Sequence, residues 1–112
     1  MPSVGQLLIK RSRDGSRHTL VLRGELDLVT APELEDTVAE LCLNGHGEIV
    51  LDMRHVVFMD SSGLRTVLAS MDMCRLHGSE FMLVPGNGAC RRLFELTGVI
   101  DDLPVREADE LV

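Results

Sequence analysis

The sequence predicts an α/β domain built on a mixed sheet of four to five strands, opened by a β-hairpin and covered by three to four helices. Three observations carry that reading. Two β-rich stretches flank an Asp-Gly turn near the N-terminus. Further along, strand-like apolar runs alternate with apolar residues at helical spacing. The core material is aliphatic, since 45% of residues are apolar while the three aromatics are all Phe. At 112 residues the chain has the size of one domain, so residues 1–112 are read as a single unit that buries its core without metal or disulfide staples.

Gln6 to Ser12 and His18 to Gly24 are the β-rich stretches, and Arg13-Asp14-Gly15-Ser16 between them predicts antiparallel pairing. After Gly24-Glu25-Leu26-Asp27-Leu28-Val29, Thr30 and Glu33 stand at capping-box spacing, with Pro32 in the first turn where its missing N–H is tolerated. The helix that follows carries Leu34, Val38, Leu41 and Cys42 on its inner stripe; Asn44-Gly45 and Gly47 end it through left-handed conformations. Glu48 to Met53 reads as a short strand. Its consecutive Ile49, Val50 and Leu51 predict burial on both faces, as in a central parallel strand.

Val56, Val57 and Phe58 then lead into Met59-Asp60-Ser61-Ser62-Gly63, where the pattern changes. Leu64, Val67, Leu68, Met71 and Cys74 recur at helical spacing, and the helix runs to His77 and stops at Gly78. Glu80 to Val84 is another short apolar strand, broken by Pro85-Gly86-Asn87. Asn87 is the expected cap of a third helix bearing Ala89, Cys90, Leu93, Phe94 and Leu96, which Gly98 terminates. Asp101-Asp102 mark a turn, Leu103 to Arg106 an edge strand containing Pro104, and Glu107 to Val112 the start of a last helix.

Eleven basic against eighteen acidic residues give a formal net charge of −7, which repels phosphodiester backbones and anionic lipid. Neither nucleic acid nor membrane is expected as a partner. Met1 to Gln6 lacks the basic start and apolar stretch of a signal peptide, and no apolar run approaches a membrane span; a soluble cytoplasmic protein is expected. Cys42, Cys74 and Cys90 are odd in number, widely spaced and on apolar helix faces, and are read as buried thiols. His18, His46, His55 and His77 form no i, i+4 pair, so they are read as surface residues and not as metal ligands. The methionines, including Met59, Met71, Met73 and Met82, read as core filling. Gly86-Asn87-Gly88 lacks the third glycine and the acidic residue of a dinucleotide site, so it reads as a plain turn and no cofactor is expected.

Function points to Ser61. Asp60 is placed to cap the helix, and the first free N–H groups and the positive end of the helix dipole face the oxygens that follow, a setting suited to an exposed hydroxyl or a phosphate. Alone, Asp-Ser-Ser-Gly is ordinary capping chemistry; its place in the fold is what matters. Strand–helix–strand crossovers make the flanking strands parallel, so the ends of the strands before Glu25, Ser61 and Pro85 share one edge, where ligands and partners of open α/β sheets collect. On this reasoning Asp27, Asp60, Ser61, Ser62 and Asn87 converge. A serine hydrolase ranks a distant third, because the position two before Ser61 is Met59 and not the Gly of a nucleophile elbow.

With these pieces placed, the chain resembles the STAS family, and within it the anti-sigma factor antagonists. The carriers are Gly24-Glu25-Leu26-Asp27 with Thr30-Ala31-Pro32-Glu33-Leu34, then Phe58-Met59-Asp60-Ser61-Ser62-Gly63-Leu64, then Arg92-Leu93-Phe94-Glu95-Leu96-Thr97-Gly98. The resemblance implies a non-enzymatic protein that binds an anti-sigma factor of the GHKL kinase type, so that the sigma factor is released. Phosphorylation of Ser61 by that kinase switches it off, and a serine phosphatase resets it. By the same resemblance Asp27 assists recognition or phosphorylation, and Asp60, Ser61, Ser62, Gly63 and Arg65 belong to the partner-binding surface. Arg65 is a departure, because sporulation-type members have Gly there; it bears on which partner is recognised and not on the switch. The alternative within the family is a STAS subunit of another kind, such as the small cytoplasmic partner of a lipid transporter, where the same turn contacts an ATPase without being phosphorylated.

Overall fold

The hairpin forms where the Asp-Gly signal puts it. In the computed structural model, which describes residues 6–45 and 47–107, strand β1 (Leu7–Asp14) pairs antiparallel with β2 (Arg17–Leu26). Gly15 and Ser16 form the two-residue loop, and Gly15 takes the positive φ of 62° that a first central position of this kind demands. Helix α1 (Ala31–Leu43), strand β3 (Glu48–Met59), helix α2 (Ser61–Leu76), strand β4 (Glu80–Val84) and helix α3 (Ala89–Thr97) follow, with a 3₁₀ turn at Val99–Asp102. The sheet order is β1-β2-β3-β4, antiparallel at the hairpin and parallel thereafter, so it is mixed as expected.

The core is aliphatic and lies between the sheet and the helices. Leu20, Leu22 and Leu26 of β2, Ile49, Leu51 and Met53 of β3, and Phe81 and Leu83 of β4 meet Leu34, Val38, Leu41 and Cys42 of α1 and Val67, Met71 and Cys74 of α2. The alternation in β3 sends Val50 to the opposite face, where it forms a smaller cluster with Met82 and Val84. Ile49 to Met53 are all buried, which bears out the central position. Met59, Met71 and Met82 are buried as core filling while Met73 is only partly buried against the core, and the three cysteines are buried free thiols. Burial pushes Cys74 up to about 12, helped by the neighbouring Cys42 thiol 3.8 Å away, and pushes Cys90 up to about 11.

Several expectations are corrected. The strand predicted over Glu48 to Met53 continues to Met59: Arg54 and His55 interrupt the apolar run, but β2 stays paired beside them through two register shifts. Arg54 is held there by Asp52, which is 1% exposed and accepts its guanidinium at 2.7 Å and its backbone N–H at 3.1 Å. Burial alone would push the Asp52 carboxyl up, but these hydrogen bonds and the Arg54 charge outweigh it and hold the group below the ordinary range. The edge strand expected over Leu103 to Arg106 reduces to a single parallel bridge between Leu83 and Val105, because Pro104 has no N–H to extend a ladder. The sheet therefore has four strands among the described residues. The helix expected from Glu107 falls almost wholly outside the described residues.

At the helix ends, Gly45 takes a left-handed φ of 73° but Asn44 does not. Asn87 is not the cap of α3: that position is Gly88, with no side-chain cap bond. Among the histidines, His18 is buried in β2 and not on the surface, His55 and His77 are exposed, and His46 lies outside the described residues. Leu96, expected on the inner face of α3, is exposed.

Candidate functional site

The site is built where β2 and β3 end together. Leu26 pairs with Met59 as the last residue of each strand, and the N–H of Asp60 donates to the Leu26 carbonyl at 3.4 Å. The loop after β2, which begins at Asp27, and the turn Asp60-Ser61-Ser62-Gly63 therefore leave the sheet side by side. The shared edge predicted for Asp27 and Ser61 exists in the structure. Asn87 does not reach it. Val84 ends β4 opposite Asp52, and β3 runs on for seven residues to Met59, about 20 Å at the rise of a strand.

Asp60 is the N-cap of α2, in extended conformation, and its Oδ1 accepts from the N–H of Gly63 at 3.0 Å. That leaves the amides of Ser61 and Ser62, in the first helical turn, without intrahelical acceptors. Ser61 is exposed and Ser62 half-buried. Gly63 is buried for a reason its capping role does not reveal. A Cβ there would lie 2.4 Å from the Leu26 carbonyl oxygen and 2.7 Å from Met59 Cγ, so only glycine lets the helix start this close to both strands.

Asp27 is 5% exposed and turned inward. Its Oδ1 accepts from the N–H groups of Val29 at 2.9 Å and Thr30 at 3.1 Å, while its own N–H donates to Thr30 Oγ1 at 3.0 Å and that hydroxyl donates to the Glu25 carbonyl at 2.8 Å. The capping box expected at Thr30 and Glu33 is thus replaced, because the Thr30 hydroxyl is already committed to the strand end. Asp27 shapes the loop at the start of α1. The loop it ties down presents Leu28 and Val29, 73% and 67% exposed, and beside them the end of β3 presents Val57 and Phe58, 74% and 49% exposed. Half of the eight strongly exposed large apolar residues among those described thus gather at this one edge, which marks a contact surface.

A cleft of about 160 Å³ opens between the starts of α1 and α2, with Leu28, Pro32 and Glu35 on one wall and Ser62 and Arg65 on the other. Across its floor the Thr66 hydroxyl donates to Glu35 Oε1 at 3.1 Å and ties the two helices together. Sequence reasoning missed Leu28, Val29, Phe58 and Glu35. Leu28-Val29, two apolar residues between a turn-forming Asp and a helix start, were the available signal. Among the described residues no group of three or more His, Cys, Asp or Glu side chains is placed to hold a metal ion.

A mixed sheet with two parallel crossovers and an acidic, doubly hydroxylated turn at a strand-to-helix junction defines the class. The chain belongs to the STAS domain family, whose model matches residues 10–110. The anti-sigma-B factor antagonist of Staphylococcus aureus is 32% identical over 88 residues, 79% of this chain and 82% of that protein. Among solved structures, an anti-sigma factor antagonist from Mycobacterium paratuberculosis matches with a TM-score of 0.85 at 25% identity, over 98% of this chain and 94% of that one. Phosphorylated SpoIIAA of Bacillus shares the fold, with a TM-score of 0.70 at 20% identity over 93% of this chain and 96% of its own.

Proposed function

We propose that this chain acts in the cytoplasm as a single-domain anti-sigma factor antagonist whose binding edge is the rim around Ser61. It binds an anti-sigma factor that is also a serine kinase of the GHKL type, and the bound sigma factor is released. The kinase then transfers a phosphoryl group to Ser61: the Ser61 oxygen attacks the γ-phosphorus of ATP, the bond to ADP breaks, and the hydroxyl proton passes to a base of the kinase. The antagonist supplies only the acceptor hydroxyl and catalyses nothing itself. A serine phosphatase hydrolyses the phosphoester and restores binding.

The observation that carries this reading is an exposed hydroxyl at the first position of a helix, at the same sheet edge as the exposed Leu28, Val29 and Phe58. Apolar groups give a partner its contact area, and the open amides of the first turn receive a phosphate without disturbing the fold. The relatives named as antagonists, and the phosphorylated form among the fold neighbours, support it. Asp27 contributes through the shape of the loop that carries Leu28 and Val29. Asp60, Ser62 and Arg65 form the rest of the surface, while Gly63, expected on it from the sequence, is buried and contributes only by letting α2 start close to the strand ends.

The test is to incubate the protein with its anti-sigma partner, ATP and Mg²⁺, measure the intact mass and map the phosphopeptide. A gain of one phosphate on Ser61, absent from Ser61→Ala, is expected. Label persisting at full stoichiometry on Ser61→Ala would overturn the assignment of the acceptor, and binding with no phosphate gained would favour a scaffold over a switch.

A further inference from the structure

We infer that Arg65 is the intramolecular ligand of the Ser61 phosphate, closing an ion pair over the first turn of α2 whenever the phosphate is present; this rests on Ser61 being the acceptor. Positions 61 and 65 are four apart on one helix, which puts their Cβ atoms on the same face about 5–6 Å apart. Direction matters as much as spacing. Side chains of an α-helix lean toward its N-terminus, so a long side chain at 65 lies over the turn that contains 61 and 62. In the structure Arg65 lines the cleft beside Ser62, the residue next to the acceptor.

Arg65 is also uncommitted. It is exposed and takes part in none of the four ion pairs among the described residues, which use Arg11, Arg17, Arg54 and Arg91. The charged groups that face this turn are few. Asp60 precedes it and directs Oδ1 to the Gly63 amide; Glu35 of α1 shares the cleft and directs Oε1 to the Thr66 hydroxyl; Asp27 in the β2–α1 loop is turned inward on Val29 and Thr30. A phosphate carrying about −1.5 to −2 charges competes for a guanidinium better than a single carboxylate does, and its oxygens suit the fork of N–H donors. The switch then has two parts. Phosphorylation adds negative charge at the rim and at the same time withdraws a cation from the surface the partner meets.

The experiment uses the full chain with phosphoserine installed at position 61 during synthesis, so that no kinase is needed, and follows the phosphorus resonance through a pH titration. The second ionisation of a phosphoserine ordinarily falls at about pH 6. In 20 mM salt it is expected about half a pH unit lower in the wild type than in Arg65→Gln, with Arg65→Lys in between, and the difference is expected to shrink in 1 M salt. Coincident titrations of wild type and Arg65→Gln in low salt would overturn the inference. Should Arg65→Gln fail to fold, wild type against Arg65→Lys at the two salt concentrations decides in the same way. A failed titration leaves Ser61 as acceptor intact, and absence of kinase labelling leaves the titration standing, so the two readings fail separately.

Discussion

A methyl group added at Gly63 would meet the Leu26 carbonyl and Met59 at distances no real Cβ tolerates, so the start of α2 is fitted to the strand ends at the level of single atoms. Gly63→Ala is expected to lower stability by about 1–3 kcal/mol, because backbone and core must both yield, and a thermal melt reads the loss. Ser61→Asp should behave oppositely: its exposed site leaves Tm nearly unchanged, while added charge beside Asp60 weakens binding of the anti-sigma partner at least about tenfold by titration calorimetry. The Asp60 cap was legible because capping is local, and the bond to the Gly63 amide is its direct outcome. The close contact of Gly63 was not legible, since it depends on two strands distant in sequence. Asp27 was legible as an acid at the right edge, yet its inward orientation follows from the Thr30 hydroxyl turning back to Glu25, which spacing does not reveal.

At the scale of elements, the length of β3 decides what the site contains. The hairpin, the three helices and the buried middle of β3 were readable from turn chemistry and periodicity, but Arg54-His55 ended the apparent strand early. The hidden reason is the Asp52–Arg54 pair, which makes an arginine acceptable in a strand flanked by core. Its removal should show a defined pH signature. The wild-type Asp52 carboxyl titrates below its unfolded value, so its stabilisation is present above the ordinary Asp range and lost as pH falls through the folded value. In Arg54→Ala only the backbone N–H at position 54 and the charge of His55 still oppose burial, so the carboxyl titrates higher than in the wild type, and the deficit, about 1–2 kcal/mol near neutral pH, should narrow as pH falls below about 4. Denaturant melts of both proteins across pH 3 to 7 check it; a deficit independent of pH would contradict the pairing. The same extension of β3 explains why Asn87, placed at the shared edge by topology alone, stands well back from it: parallel strands share a direction without sharing a length.

For the molecule as a whole, the aliphatic composition and the position of the cysteines were enough to foresee an aliphatic core holding buried free thiols. Burial holds Cys74 and Cys90 as neutral thiols far above physiological pH, and Cys42 is packed beside Cys74 at 3% exposure. Iodoacetamide at pH 8 should therefore leave the native protein unmodified and label all three sites once it is unfolded, as mass spectrometry would show. Native labelling at any of the three would mean the core opens on the timescale of the reagent.

The bolted start of α2 also has a meaning in time. With Asp60 hydrogen-bonded to Leu26, Gly63 pressed against the same residue and Thr66 tied to Glu35, the backbone of the Ser61 turn is fixed in place, and a phosphate arriving there would call for no more than a side-chain movement of Arg65. Under the proposed switch there is then no slow relaxation after each chemical event, and no hysteresis between phosphorylation and recovery. On that proposal the domain would keep no record of its past, and the lifetime of its off state would be set by the rates of the proposed kinase and phosphatase.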